Sequence, residues 1–271
     1  MRPGTTTIWV IALGTLLASG QTLHAEDPKQ IVQQAVNAEL AANHNDNSHW
    51  RYVKREGVGN TSIVVETENG AITRRVQENG KPASAAALKT DDERVQKFIH
   101  DPALQQKQKR DGENDEKSAT ELLNLLPTAF VWKVESETPE TVTLSFQPDP
   151  NFSPPDMEAR VMGKMAGTLV VDKAQRRIHT MKGALTEEVT IGFGFLARMK
   201  KGGTFDVERR QIAPGVWQIT ETHVHIEGRA LFFKTIGQQE DEVKSSFSPV
   251  PPGTTLQQAV GMFKEGAGDM K

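Results

Sequence analysis

The chain has 271 residues, with 32 Lys/Arg against 35 Asp/Glu for a formal net charge of −3, 37% hydrophobic residues and no cysteine. The missing cysteine excludes disulfides, thiol nucleophiles, thiolate metal centres and the acceptor for bacterial lipoprotein modification, so stability must come from burial. No cofactor is expected, and for a protein outside the cytoplasm, as the N-terminal sequence suggests, nucleic acid is not an expected partner.

Arg2 is the single charge before the apolar run Ile8–Ala18 (IWVIALGTLLA), and a polar stretch ending in Leu23-His24-Ala25 follows. This order reads as a secretory signal peptide over residues 1–25, cleaved near Ala25. The run is shorter than the roughly 20 residues that a membrane-spanning helix needs. The expectation is therefore a periplasmic or secreted protein, with one α+β domain over residues 26–271.

Asp27-Pro28 places an N-cap and a first-turn proline at the start of a helix whose apolar positions are Ile31, Ala35, Ala38 and Ala42. The polar run Asn43–Ser48 ends it. Short β-branched runs then follow at Trp50–Val53, Ile63–Val65 and Ile72–Val76, separated by Gly57, Gly59, Asn69-Gly70 and Asn79-Gly80. Such spacing predicts antiparallel hairpins. Residues 84–126 interrupt the strands as a helical insertion, with Asp101-Pro102 starting a second helix and Pro127 ending the last one.

Strands resume at Ala129–Trp132 and Val142–Phe146, and the proline-rich PDPNFSPP from Pro148 to Pro155 is irregular loop. From Met165 to Phe247 the pattern is a meander with turns at Asp172-Lys173-Ala174, Gly202-Gly203 and Pro214-Gly215. Connections this short require antiparallel neighbours. A last helix from Thr255 presents Leu256, Val260 and Phe263. The fold class expected is α+β, a large curved antiparallel β-sheet (an incomplete barrel) with helices packed on one face and helices at both termini. A single tyrosine and a helical end speak against an outer-membrane barrel, whose strands carry aromatic girdles.

Three groups of residues are candidates for function. In the strand sequence ETHVHIEG, Glu221, His223, His225 and Glu227 fall on one face because alternate strand residues share a face. His223 and His225 are candidate ligands for a divalent metal, with a carboxylate as third ligand, or else belong to the solvated face of an outer strand whose Val224 and Ile226 point inward. A second group is the basic loop after the glycine-flanked GFGFL. Arg198, Lys200 and Lys201 are positioned to meet an anionic lipid surface, or simply solubilise a hairpin tip. Residues 160–210 hold eleven Lys/Arg against five Asp/Glu, which adds to a local positive field. The third group is apolar: Ile191, Phe193, Phe195, Phe232 and Phe233 are candidate linings of a cavity between sheet and helices.

No Gly-x-Ser-x-Gly elbow, His-Glu-x-x-His motif, EF-hand loop or phosphate-cradling glycine loop is present, so a binding role is favoured over an enzymatic one. The segments NFSPPDMEARVMGKMAGTLVVDKAQRRI, GALTEEVTIGFGFLARMKKGGTF and GRALFFKTIG, with Phe247-Ser-Pro-Val after them, resemble a group of uncharacterised secreted bacterial proteins. In its order of elements the chain also resembles the LolA/LolB-like periplasmic lipoprotein-carrier superfamily. That resemblance implies an incomplete barrel with helices over an apolar cavity that accepts acyl chains. The function expected is a soluble carrier of an acyl chain, lipid or lipoprotein-like ligand, with peripheral membrane contact. The alternatives are an envelope structural or assembly factor that acts through a protein partner, and, third, a metal-dependent hydrolase.

Overall fold

A computed structural model describes residues 26–191, 197–230 and 235–264. The first helix, α1 (Pro28–Asn45), begins as expected: Asp27 accepts from the Lys29 amide at 3.0 Å, and Pro28 occupies the first turn. Its buried stripe is Ile31, Val32, Ala35, Val36 and Glu39, while Ala38 and Ala42 are only half-buried. The stripe is rotated from the one expected because a carboxylate, not alanine, meets the sheet in the second half of the helix.

β1 (His49–Glu56), β2 (Asn60–Thr67), β3 (Gly70–Glu78) and β4 (Lys81–Pro82) follow as antiparallel hairpins. The β3–β4 turn needs two left-handed residues, and Asn79 (φ 53°) and Gly80 (φ 71°) supply them. α2 (Ala85–His100) and α3 (Pro102–Ala129) form the helical insertion. Asp101 caps α3 through the amides of Ala103 and Leu104 at 3.0 and 3.2 Å. Pro127 does not end α3; it lies inside the final turn, and the helix continues to Ala129.

β5 (Phe130–Glu137) and β6 (Thr141–Pro148) lead to a short helix that the proline pattern did not reveal, α4 (Met157–Met162), capped by Asp156 through the Ala159 amide at 2.7 Å. The remaining strands are β7 (Met165–Asp172), β8 (Ile178–Leu185), β9 (Val189–Ile191), β10 (Ala197–Met199), β11 (Thr204–Ala213), β12 (Val216–Ala230) and β13 (Thr235–Val250). α5 (Leu256–Gly261) closes the described chain, with a capping box between Thr255 and Gln258.

All strand pairs are antiparallel, and the main path of the sheet is β4-β3-β2-β1-β13-β12-β11-β8-β7-β6-β5, with β10 pairing to β12 and β9 to β10. The fold is α+β with a large antiparallel sheet that is not closed into a barrel, as the sequence predicts. β4 ends one edge with Lys81 and Pro82, a pair that discourages further strand pairing.

Residues directly opposite on neighbouring strands share a face. The row Leu144, Leu169, Met181, Val207, Thr222, Glu242 and Glu56 crosses seven strands and defines one face of the whole sheet. On that face α1 and the end of α3 cover β5–β8 through Phe130, Trp132, Leu144, Phe146, Leu169 and Leu185. Further along it, Trp50, Tyr52 and Val64 pack with Phe247 and with Ile212, Ala213 and Val216 from the β11–β12 turn. The opposite face of β2 and β3 is covered by α2, α5 and the 3-10 turn Met262–Lys264 that follows α5, through Ile63, Val65, Ile72, Val95, Leu256 and Phe263. The helices are thus shared between both faces, at opposite ends of the sheet, and not packed on one face as expected, because β2 and β3 turn apolar Ile63, Val65 and Ile72 to the other side.

α3 is about 42 Å long at 1.5 Å per residue. Near its start the Gln108 side chain bonds the Ala71 backbone, accepting from N at 2.8 Å and donating to O at 3.1 Å. At its end, Leu126 and Ala129 are buried against α1 and β5. Between these anchors Lys109–Ala119 are all exposed. A helix that is polar on every side is what a bridging span requires.

Candidate functional site

β7 and β8 carry two small-residue pairs in sequence, Ala166-Gly167 and Gly183-Ala184, and the register sets them side by side: Gly167 opposite Gly183, Ala166 opposite Ala184. The glycines are there for close approach. A Cβ on Gly167 would collide with the Lys182 carbonyl oxygen, and one on Gly183 would sit 2.7 Å from Phe205 Cε1. Phe205 fills the core side of this spot, and on the opposite face the neighbouring residues Ala166 and Ala184 are small.

That opposite face holds an open trough of about 530 Å³ across β7, β8, β11 and β12. Ala166, Ala184 and Thr204 lie in one cross-strand row, and Thr168, Lys182, Asp206 and His223 in the next. The first row supplies a nearly bare floor; the second supplies a polar rim. Lys182 Nζ lies 2.8 Å from Asp206, and this hydrogen bond raises the lysine above its ordinary value.

The polar row continues onto β13 at Asp241, which faces His223. Asp241 Oδ1 lies 2.8 Å from His223 Nδ1 and 2.9 Å from His225 Nε2. The hydrogen bonds to His223 and then His225 hold the Asp241 carboxyl below its ordinary value. Glu221 lies 4.0 Å from His223 Nε2 and accepts from Arg210 at 3.2 Å. The two histidines therefore do stand on one solvated face, with Val224 and Ile226 on the other, as alternation predicts. Metal binding is one of the two readings of His223 and His225; among the described residues no group of three His, Asp or Glu side chains is arranged for an ion. Asp241, from a strand 16 to 18 residues away in sequence, is their partner instead.

The other candidates are only partly visible. Phe193, Phe195, Phe232 and Phe233 lie outside the described residues, and for Ile191 and Arg198 only the backbone is described. Ile191 pairs with Ala197, and Ala197 with Ala230, so the strands that lead into the phenylalanine-bearing sequences are neighbours. Lys200 is not a free surface cation: its Nζ lies 2.8 Å from Glu227 Oε2, which lowers the Glu227 carboxyl, and its amide donates to the Glu227 carbonyl at 2.8 Å. Lys201 is exposed.

Sequence reading missed Ala166, Gly167, Lys182, Gly183, Ala184, Thr204 and Asp206. The signal was present, since Ala-Gly and Gly-Ala interrupt two successive β-branched runs, but only register shows that they meet. Chemically the trough offers apolar contact beside paired charges. Compared with models of known families, with curated proteins and with solved structures, the chain matches none.

Proposed function

We propose that this protein is a carrier that binds an extended apolar ligand, an acyl chain of a lipid or lipoprotein, along the trough of β7, β8, β11 and β12. The observation that supports it is the small-residue floor of Ala166, Ala184 and Thr204 beside Gly167 and Gly183. Its volume of about 530 Å³ falls within the range of about 300–1,000 Å³ common for ligand sites. The floor accepts hydrocarbon, while Lys182 and His223 on the rim meet a polar head. The space between α1, α3 and β5–β8 is a poorer place for the ligand, because Leu144, Phe146, Leu169 and Leu185 fill it. The N-terminal sequence supports export, so the ligand would be met in the periplasm or outside the cell.

The test is titration of the purified protein with a fluorescent fatty acid, together with mass spectrometry of any co-purified lipid. Ala184→Phe should weaken fatty-acid binding at least tenfold while circular dichroism stays unchanged. Absence of saturable binding, or equal affinity in Ala184→Phe, overturns the reading.

A second reading, an envelope assembly factor, is favoured by β5, which among the described residues pairs only with β6 and so forms an edge, with Val131 55% exposed. Cross-linking in cells that traps a discrete protein partner along β5, with no lipid bound, would favour it.

A further inference from the structure

The polar row beside the trough has a definite order of groups. Thr168 on β7, Lys182 on β8, Asp206 on β11, His223 on β12 and Asp241 on β13 stand opposite one another on one face. Neighbouring strands lie about 4.8 Å apart. Hydroxyl, ammonium, carboxylate, imidazole and carboxylate therefore follow at that spacing, alongside the bare row of Ala166, Ala184 and Thr204. Lys182 and Asp206 keep 53% and 34% of their side-chain surface, and His223 and Asp241 keep 38% and 45%. A ligand in the trough can reach all four.

The balance of charge on this face decides which polar head fits. Lys182 lies 2.8 Å from Asp206, and Arg210 is held between Glu208 at 2.6 Å and Glu221 at 3.2 Å. Two fixed cations thus stand against the carboxylates of Asp206, Glu208, Glu221 and Asp241. Among the described residues the Asp241 carboxylate meets the two histidines and no fixed cation. A head with a single negative charge would gain Lys182 but meet repulsion from Asp206 one strand away. A head with a single positive charge would gain Asp206 but meet Lys182. A zwitterion answers both, with its anionic group over Thr168 and Lys182 and its cation over Asp206 and Asp241. The row also distinguishes between cations. Quaternary ammonium groups are held by aromatic faces, and the row has none, whereas carboxylates accept charge-assisted N–H bonds from a primary ammonium.

We propose that the trough selects an acyl chain that carries a phosphoethanolamine head. The chain lies on Ala166, Ala184 and Thr204, the phosphate accepts from Lys182 Nζ and the Thr168 hydroxyl, and the terminal ammonium donates to Asp206 and Asp241. This order follows the connectivity of such a head, in which the phosphate joins the chain to the ammonium-bearing arm. The inference rests on the carrier reading and adds to it the class of ligand.

Competition against the fluorescent fatty acid, at concentrations too low for micelles, tests the head while the chain is held constant. The competitors are lauroyl lysophosphatidylethanolamine, lysophosphatidylcholine and lysophosphatidylglycerol, and sodium laurate. The ethanolamine lipid should bind at least tenfold more tightly than the other three. Asp206→Asn/Asp241→Asn should erase its advantage over the choline lipid, and Lys182→Gln should weaken the ethanolamine lipid at least fivefold. Equal affinity for the four, tighter binding of laurate or the glycerol lipid, or a preference that survives Asp206→Asn/Asp241→Asn overturns this inference, while saturable binding of the fatty acid itself still supports a carrier. If neither the fatty acid nor any of the four binds saturably, both readings fall.

Discussion

Glu39 and Arg177 are 138 residues apart in sequence, and their side chains meet in the interior at 2.9 Å. The pair ties α1 to the entrance of β8, while Arg209 joins the same carboxylate from β11. Removing one partner from such a cluster leaves an uncompensated charge, which is worse than never having buried the pair. Glu39→Gln keeps the shape and removes the charge. We expect it to lower the unfolding free energy by about 3–5 kcal/mol, measured by urea denaturation at neutral pH.

The same cluster sets part of the pH dependence. Burial pushes the Glu39 carboxyl up, but hydrogen bonds and charge from Arg177 and Arg209 outweigh burial and hold it below its ordinary value. A group depressed by folding contributes stability above its unfolded pKa, and that contribution is lost as pH falls through the folded one. Glu66 has the opposite sign: burial raises it, and the Trp50 amide at 3.1 Å and the Lys244 charge only partly offset this. Its contribution is present below the unfolded pKa and is lost as pH rises through the folded one. Urea midpoints from about pH 3 to about pH 8 should separate the two. The deficit of Glu39→Gln should shrink toward acid, and Glu66→Gln should gain on wild type as pH rises.

Two glycines should respond to alanine in opposite directions. Gly112 lies in the exposed span of α3, and a Cβ there would meet nothing within 4 Å. Gly112→Ala should add about 1 kcal/mol, the propensity difference in a helix interior. Gly167→Ala would drive its methyl into the Lys182 carbonyl on the neighbouring strand and should cost about 1–3 kcal/mol or more. Thermal unfolding of the two variants measures both; a neutral Gly167→Ala would mean that β7 and β8 can separate.

Asp241 offers a spectroscopic check of the polar row. Its carboxyl lies below the ordinary value because His223 and His225 hydrogen-bond it. Carbon-detected NMR titration should show the Asp241 midpoint moving up toward an ordinary aspartate in the His223→Ala/His225→Ala variant. An unchanged midpoint would show that the three side chains do not meet in solution.

The local elements were legible because their causes are local. Asp27-Pro28 and Asp101-Pro102 start helices through side-chain capping and a fixed proline φ, Asn79-Gly80 turns a hairpin through two left-handed residues, and Thr255 caps the last described helix. Period-two alternation likewise placed His223 and His225 on one face and Val224 and Ile226 on the other. Pro127 and α4 show where local rules fall short, since a proline near a helix end does not by itself stop the helix and a proline-rich loop can still cap a short one.

What the chain's own order determined, then, is the succession of helices and hairpins and the two sides of β12; β1 and β2 are buried on both faces, which alternation did not reveal. Tertiary structure alone decided which strands became neighbours, and with them the site. The pairing of β1 with β13 closes a loop of nearly the whole domain, and no turn residue announces it. Ala166-Gly167 became a trough only because β8 brought Gly183-Ala184 alongside and β11 brought Thr204 and Asp206. Glu39 reads as a solvent residue until Arg177 and Arg209 arrive from distant strands to make its burial tolerable. Propensity and capping act over a few residues, whereas register, burial and charge pairing act through space, and it is the second set that builds the trough.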